Sequence, residues 1–147
     1  FQLIVGGELA FEIRIMQKYD YEGAITLWRS LPGLALSGAD KEDQIHRFLE
    51  MNPDTCFVAV DQGTVIGTIL GGSDGRRGYI YHLAVAPASQ RSGLGRELVA
   101  RCLKALKNSG LQKCHIFVIA DNEEGKRFWD RIEWVRREDI LVMSKDL

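Results

Sequence analysis

Between positions 81 and 96 the chain gathers residue types suited to phosphate binding and proton transfer. Tyr81 and His82 come first, followed by a turn of Gln90, Arg91, Ser92, Gly93, Leu94, Gly95 and Arg96. A helix that opens on glycines leaves its first N–H groups uncovered. Those donors, with the positive end of the helix dipole, make an anion site. Glycine also lets a phosphate come close to the backbone. Arg91 and Arg96 flank the turn with charge, and Ser92 adds a hydroxyl donor. The stretch predicts a pyrophosphate cradle at a strand–turn–helix junction. A tight turn that uses its glycines only for its own geometry is the alternative. Two familiar phosphate motifs do not apply: there is no G-x-x-x-x-G-K-[ST], and Leu98 stands where G-x-G-x-x-G needs its third glycine.

Proton transfer needs a group that titrates near neutrality. His82 has the suitable intrinsic chemistry, and Tyr81 is its neighbour. Strand alternation puts Tyr79, Tyr81 and Leu83 on one face and His82 on the other, unless a bulge shifts the register. A histidine alone in a strand also reads as a structural residue, and a water chain to a backbone carbonyl or carboxylate is a second route for the proton. His46 and His115 have no companions that suggest catalysis.

The elements that must position these groups follow from periodicity and punctuation. "FEIRIM" (11–16) alternates as a strand. Asp20 is placed to cap a helix through "YEGAITLWRSL", and Asp40 to start a second, "KEDQIHRFLEM", which ends before Pro53. "TCFVAVD", "TVIGTILGG" and "YIYHLAV" read as three strands joined by short turns, an antiparallel meander. Pro87 ends the third. The next helix shows one face with Leu94, Leu98, Cys102, Ala105 and Leu106, and Gly110 closes it. "KCHIFVIA" (113–120) reads as a strand buried on both faces. Asn122 caps "EEGKRFWDRIEW", and "DILVMSKDL" (139–147) reads as a last strand. The order β-α-α-β-β-β-α-β-α-β(-β) gives a mixed α/β domain over residues 11–147. Residues 1–10 read as a leader or expression-derived extension.

The totals bound the function. The 147 residues suit one domain, and 19 basic against 20 acidic residues leave a net charge of -1, which argues against a dedicated nucleic-acid surface. No run of about 18 apolar residues suggests a membrane span. Cys56, Cys102 and Cys114 form no C-x-x-C pair and read as three reduced thiols in a cytoplasmic protein, with no metal site.

One stretch narrows this further. Leu83-Ala84-Val85 ends a strand, Pro87 follows, and Gln90, Gly93 and Gly95 open a helix. That run resembles the core motif of the GNAT superfamily of N-acetyltransferases, a Leu-Ala-Val-like strand end followed by Q/R-x-x-G-x-G/A. "GGSDGRRGYIYHLAV" is most similar to small bacterial members near the ribosomal-protein alanine acetyltransferases. The resemblance implies a GNAT-like fold, with a twisted, mostly antiparallel sheet of six to seven strands, a splayed parallel pair and four helices. It implies acetyl-CoA as cosubstrate, lying between the strand ending at Val85 and the one from Lys113 to Ala120. Backbone groups of Leu83, Ala84 and Val85 would meet the pantetheine arm. Main-chain amides from Arg91 to Arg96, in the turn opened by Gln90, would hold the pyrophosphate. Asn122 matches the family asparagine near that arm, as well as reading as an N-cap. The acceptor would be an amine, on a small molecule or a protein N-terminus, attacking the thioester directly in a ternary complex. A homodimer is compatible with the resemblance.

The chain also departs from the family pattern. The tyrosine held to protonate the leaving thiolate is replaced by Trp129, and the usual Gly-Phe by Glu133-Trp134. Indole N–H donates a hydrogen bond but is no useful acid at neutral pH. Phe117 stands where some relatives carry a glutamate base. The acceptor would enter from the side of the first two helices and the loop "LPGLALSGA", a region that Trp28, Leu34 and Leu36 make apolar. Asp40, Glu42 and Asp43 either attract a cationic amine or simply form the charged first turn of a helix. Trp129 also keeps a second function open: an acyl-CoA-binding sensor, or a catalytically weak, partner-binding subunit with the same fold.

Overall fold

The computed structural model describes residues 2–5 and 8–147, with side chains from residue 11 onward. Backbone contacts divide the chain into two compact units, Phe1–Phe117 and Val118–Leu147.

The first unit is built on one six-stranded sheet in the order β1-β2-β3-β4-β5-β6. Its strands are β1 (Gln2–Val5), β2 (Glu8–Ile15), β3 (Phe57–Asp61), β4 (Thr64–Ser73), β5 (Gly78–Val85) and β6 (Cys114–Ile116). Every neighbouring pair is antiparallel except β5 and β6, which run parallel. Residues 2–5 and 8–10, expected to precede the domain, are drawn into this sheet: β1 pairs with β2 from Gln2↔Glu12 to Val5↔Glu8.

Three helices cover the sheet. α1 (Tyr21–Arg29) and α2 (Glu42–Met51) pack on one face, α3 (Leu94–Asn108) on the other. The alternation of β4 shows the division. A Cβ on Gly71 would stand 2.4 Å from Cys102 Sγ of α3 and 2.6 Å from the Thr55 carbonyl oxygen, so only glycine lets α3 close there. A Cβ on the next residue, Gly72, would meet the Phe48 ring of α2 instead. Leu94, Leu98, Cys102 and Leu106 of α3 are buried as expected, with Val99 added, while Ala105 at the edge of that face is half-buried. On the opposite face Trp28, Ile25, Ile45, Leu49, Val58 and Leu70 form the core. Each such aliphatic side chain, fully buried, contributes about 1.5–3 kcal/mol.

Local chemistry departs from the sequence reading at both helix starts. Asp20 occupies the N-cap position of α1 but makes no side-chain cap bond. Its carboxylate instead takes both guanidinium nitrogens of Arg14, each at 2.8 Å, and the Gln17 N–H at 2.8 Å. A fixed bidentate ion pair with a third donor outcompetes a lone cap bond. The Asp20 carboxylate in turn raises the proton affinity of the Arg14 guanidinium. Asp40 lies in a 3₁₀ turn, Gly38–Asp40, ahead of α2, and not in the helix itself.

The second unit contains α4 (Glu123–Arg131), capped by the Asn122 side chain, which accepts the Gly125 N–H at 3.0 Å. The strand expected over 113–120 is shorter: β6 ends at Ile116, and Phe117 and Ile119 are exposed. The strand expected over 139–147 does not form. Ile140, Leu141, Val142 and Met143 are exposed and lie in irregular chain. Their apolar run supplies strand propensity, but a strand needs pairing and a covered face to exist.

Candidate functional site

β5 carries the site. β6 pairs with it only from Gly78↔Cys114 to Ile80↔Ile116, so residues 81–85 extend beyond their parallel neighbour. On the other side β5 stays paired with β4 as far as Val85↔Gly67, and the Ala86 N–H continues the ladder to the Ile66 carbonyl at 2.8 Å. Hydrogen-bonding direction alternates along a strand. Ala84 and Ala86 therefore point their peptide groups at β4, while Leu83 and Val85 turn theirs to the edge that β6 leaves open. Gln90 Nε2 donates to the Val85 carbonyl at 3.0 Å and ties the following turn to this strand end.

In the turn, Pro87–Ser89 forms a single 3₁₀ turn, and α3 begins at Leu94 with Gly93 as N-cap. Arg91 (φ +62°) and Gly93 (φ +86°) both sit in the left-handed region. Such alternation points successive N–H groups toward one side. Ser89 and Gln90 donate back to Ala86 and Pro87, and Glu97 donates to Gly93. Between them the amides of Arg91, Ser92 and Gly93 have no partner among the described residues. Those of Leu94, Gly95 and Arg96 belong to the first helical turn, which has no carbonyl to reach. Six consecutive N–H groups are thus uncommitted, and Arg91, Ser92, Gly93 and Arg96 are exposed. Open donors, a helix N-terminus and two flanking guanidinium groups suit a diphosphate. Leu94 is the buried anchor of the turn. The Ser92 hydroxyl differs from expectation: it donates to the Ser89 carbonyl at 2.5 Å and so stiffens the turn.

The register of β4 against β5 slips between Thr68 and Leu70, and the bulge falls on His82, at φ +48°. A bulge lets neighbouring side chains share a face. Tyr81 and His82 both face the α1–α2 layer: the Tyr81 ring lies 6.0 Å from Phe48 of α2, and the His82 imidazole 4.6 Å from Trp28 of α1. The strained backbone is held by one hydroxyl. Thr68 Oγ1 donates to the His82 carbonyl at 2.8 Å and accepts from Trp28 Nε1 at 2.8 Å. His82 Nε2 lies 2.5 Å from Asp40 Oδ1. Trp28, expected to line the acceptor entrance, is fully buried and serves instead as the floor beneath His82.

Asp40 as the partner of His82, and Thr68 and Trp28 as the clamp on its backbone, were not legible from the sequence. The spacing of Ser37 and Asp40 could have shown that this carboxylate folds back on its own turn, but nothing local points 42 positions along the chain.

Tyr81 stands in an aromatic row with Phe48, Phe117 and Tyr79. Burial, and then the neighbouring Tyr79, push its phenol above the usual range, so it holds its proton at neutral pH and offers no base. In the second unit, Trp129 packs edge-on against Phe128 at 5.2 Å and Trp134 at 4.8 Å.

A strand end with one open edge is followed at once by a turn of open amides. The family model described as acetyltransferase (GNAT) family matches residues 24–134. The chain belongs to the GNAT acetyltransferase family. It is 37% identical over 137 residues to an acetyltransferase of Photorhabdus laumondii, covering 92% of this chain and 95% of the relative. It is 35% identical over 136 residues to an acetyltransferase of Sodalis glossinidius, with the same coverage. Among solved structures, the aminoglycoside N-acetyltransferase AAC(6')-Iy in complex with CoA superposes with a TM-score of 0.74 at 17% identity, over 98% of this chain and all of that one. The mixed α/β architecture, with its one parallel pair β5–β6, is that expected of a GNAT protein, and the chain is an acyltransferase by this membership. No described helix is long and apolar enough to cross a membrane.

Proposed function

We propose that the protein is an acetyl-CoA-dependent N-acetyltransferase acting on a primary amine of a small molecule or of a peptide or protein N-terminus. The observation that carries the reading is the set of uncommitted amides from Arg91 to Arg96 directly after the end of β5, whose far edge β6 leaves open. In this reading the amides hold the cosubstrate's pyrophosphate, and Leu83 and Val85 bond its pantetheine arm as an added strand would. The same edge presents an N–H to the acetyl carbonyl, where negative charge develops as the amine attacks. That AAC(6')-Iy, of like fold, binds CoA supports the choice of cosubstrate.

The amine must lose a proton as it attacks. His82 is the base in this reading: it sits on the bulge where β5 leaves β6, and its ring is held by Asp40. Tyr81 and its aromatic neighbours would face the acceptor. Trp129 supplies no acidic proton, so the sulfur leaves as the thiolate, a fair leaving group.

The test is thiol release from acetyl-CoA in the presence of a panel of amines and short peptides. Release that needs both an amine and an intact His82 is expected. A protein that CoA protects against thermal unfolding but that releases no thiol with any amine would be a sensor instead.

A further inference from the structure

The contact between Asp40 and His82 decides which imidazole nitrogen is left for chemistry. Asp40 is buried and held from three directions. Its Oδ2 accepts the Ser37 N–H at 2.8 Å, and its own carbonyl accepts the Tyr21 hydroxyl at 2.7 Å. Its Oδ1 faces His82 Nε2. A carboxylate offers only acceptors, so Nε2 must be the donor, and in the neutral ring Nδ1 is then an acceptor. Nδ1 has no protein partner among the described residues, while no buried side-chain nitrogen or oxygen lacks one, so Nδ1 is reached by solvent.

We infer that Asp40 is a positioning residue that locks His82 in the Nε2–H tautomer and presents Nδ1 as the atom that takes the proton of the acceptor amine. The inference rests on the acetyl-transfer reading above. In the step it describes, the amine nitrogen forms a bond to the acetyl carbonyl carbon. The C–S bond breaks and the sulfur leaves with the electron pair. The surplus proton on nitrogen passes to Nδ1, directly or through one water. The imidazolium so formed keeps its Nε2–H on the Asp40 carboxylate, which gains a charge partner as the positive charge appears.

The geometry suits the role. The histidine is held at its backbone by Thr68 and at its far nitrogen by Asp40, and it lies against Trp28. Backbone, plane and tautomer are therefore fixed by three different elements, β4, α1 and the turn before α2. A histidine that only filled space would need none of this.

The experiment combines ring-nitrogen NMR with kinetics. Protein labelled with ¹⁵N-histidine, examined at alkaline pH, should show for one of its histidines a protonated Nε2 and a bare Nδ1, and His82→Gln should remove that signal. Asp40→Asn should lower kcat by on the order of 10²–10⁴-fold, as expected when the orienting carboxylate of a histidine base is lost, while KM for acetyl-CoA stays within about 3-fold. Asp40→Glu should recover part of the loss. A His82 ring found as the Nδ1–H tautomer in the unaltered protein, or Asp40→Asn turnover equal to that of the unaltered protein, overturns the inference alone. Failure of the unaltered protein to release thiol with any amine overturns the acetyl-transfer reading, and the inference with it. If Asp40→Asn does not fold, the spectrum of the unaltered protein and the kinetics of Asp40→Glu decide the matter.

Discussion

Thr68 and His82 are joined across the β4–β5 bulge by a hydrogen bond from the threonine hydroxyl to the histidine carbonyl, 2.8 Å long. The same hydroxyl accepts the Trp28 indole N–H, so one buried atom couples α1, β4 and the strained backbone of β5. Replacing Thr68 with valine keeps the shape and removes both bonds. The Trp28 N–H would then be buried without a partner, at a cost of about 1–3 kcal/mol. Denaturant unfolding of Thr68→Val should show that loss, and turnover should fall because the backbone of His82 is released. Stability equal to that of the unaltered protein would mean that the hydroxyl holds nothing.

Gly93 separates backbone geometry from anion binding. Its φ of +86° favours glycine, yet a Cβ there would meet nothing within 4 Å. Gly93→Asn should bind CoA nearly as well as the unaltered protein, because asparagine tolerates the left-handed region. Gly93→Asp has a similar shape but brings a carboxylate to the diphosphate, and should weaken CoA at least 10-fold by calorimetric titration. Equal affinities for the two variants would remove the turn from the binding site.

The buried Cys56 and the half-buried Cys114 give the protein an alkaline limit. Burial pushes Cys56 from the ordinary 9.0 up to about 12 and Cys114 up to about 11. The folded state holds these protons where the unfolded chain has lost them. The contribution is fully present below the ordinary thiol value and is lost as pH rises through the folded one. Stability should therefore fall between about pH 9 and pH 12, with a slope of about 1.4 kcal/mol per pH unit from Cys56 and less from the half-buried, solvent-screened Cys114. Urea midpoints at pH 8 and pH 10.5 measure the fall, and Cys56→Ala should make it shallower.

The turn from Pro87 to Leu94 was readable in the sequence and the surroundings of His82 only in part, for a physical reason. A strand end, a proline, a glycine turn and an amphipathic helix are neighbours in the chain, so Leu83 to Leu106 announce their own structure. The bulge at His82 depends on how β4 slides past β5 and on a hydroxyl contributed by Thr68. Strand alternation alone puts His82 on the wrong face. Asp40 looks the same in sequence whether it opens a helix or reaches an imidazole. The same limit explains the C-terminal run from Ile140 to Met143: apolar residues in a row are compatible with a strand, but whether one forms is settled by what lies beside them.

The most direct measurement is a titration of the ¹⁵N-labelled protein with CoA, followed amide by amide. The account predicts saturable binding, with the largest shifts at the backbone amides of positions 91–96 and at Leu83 and Val85. Saturable binding that leaves those amides unmoved, or no binding at millimolar CoA, would contradict it.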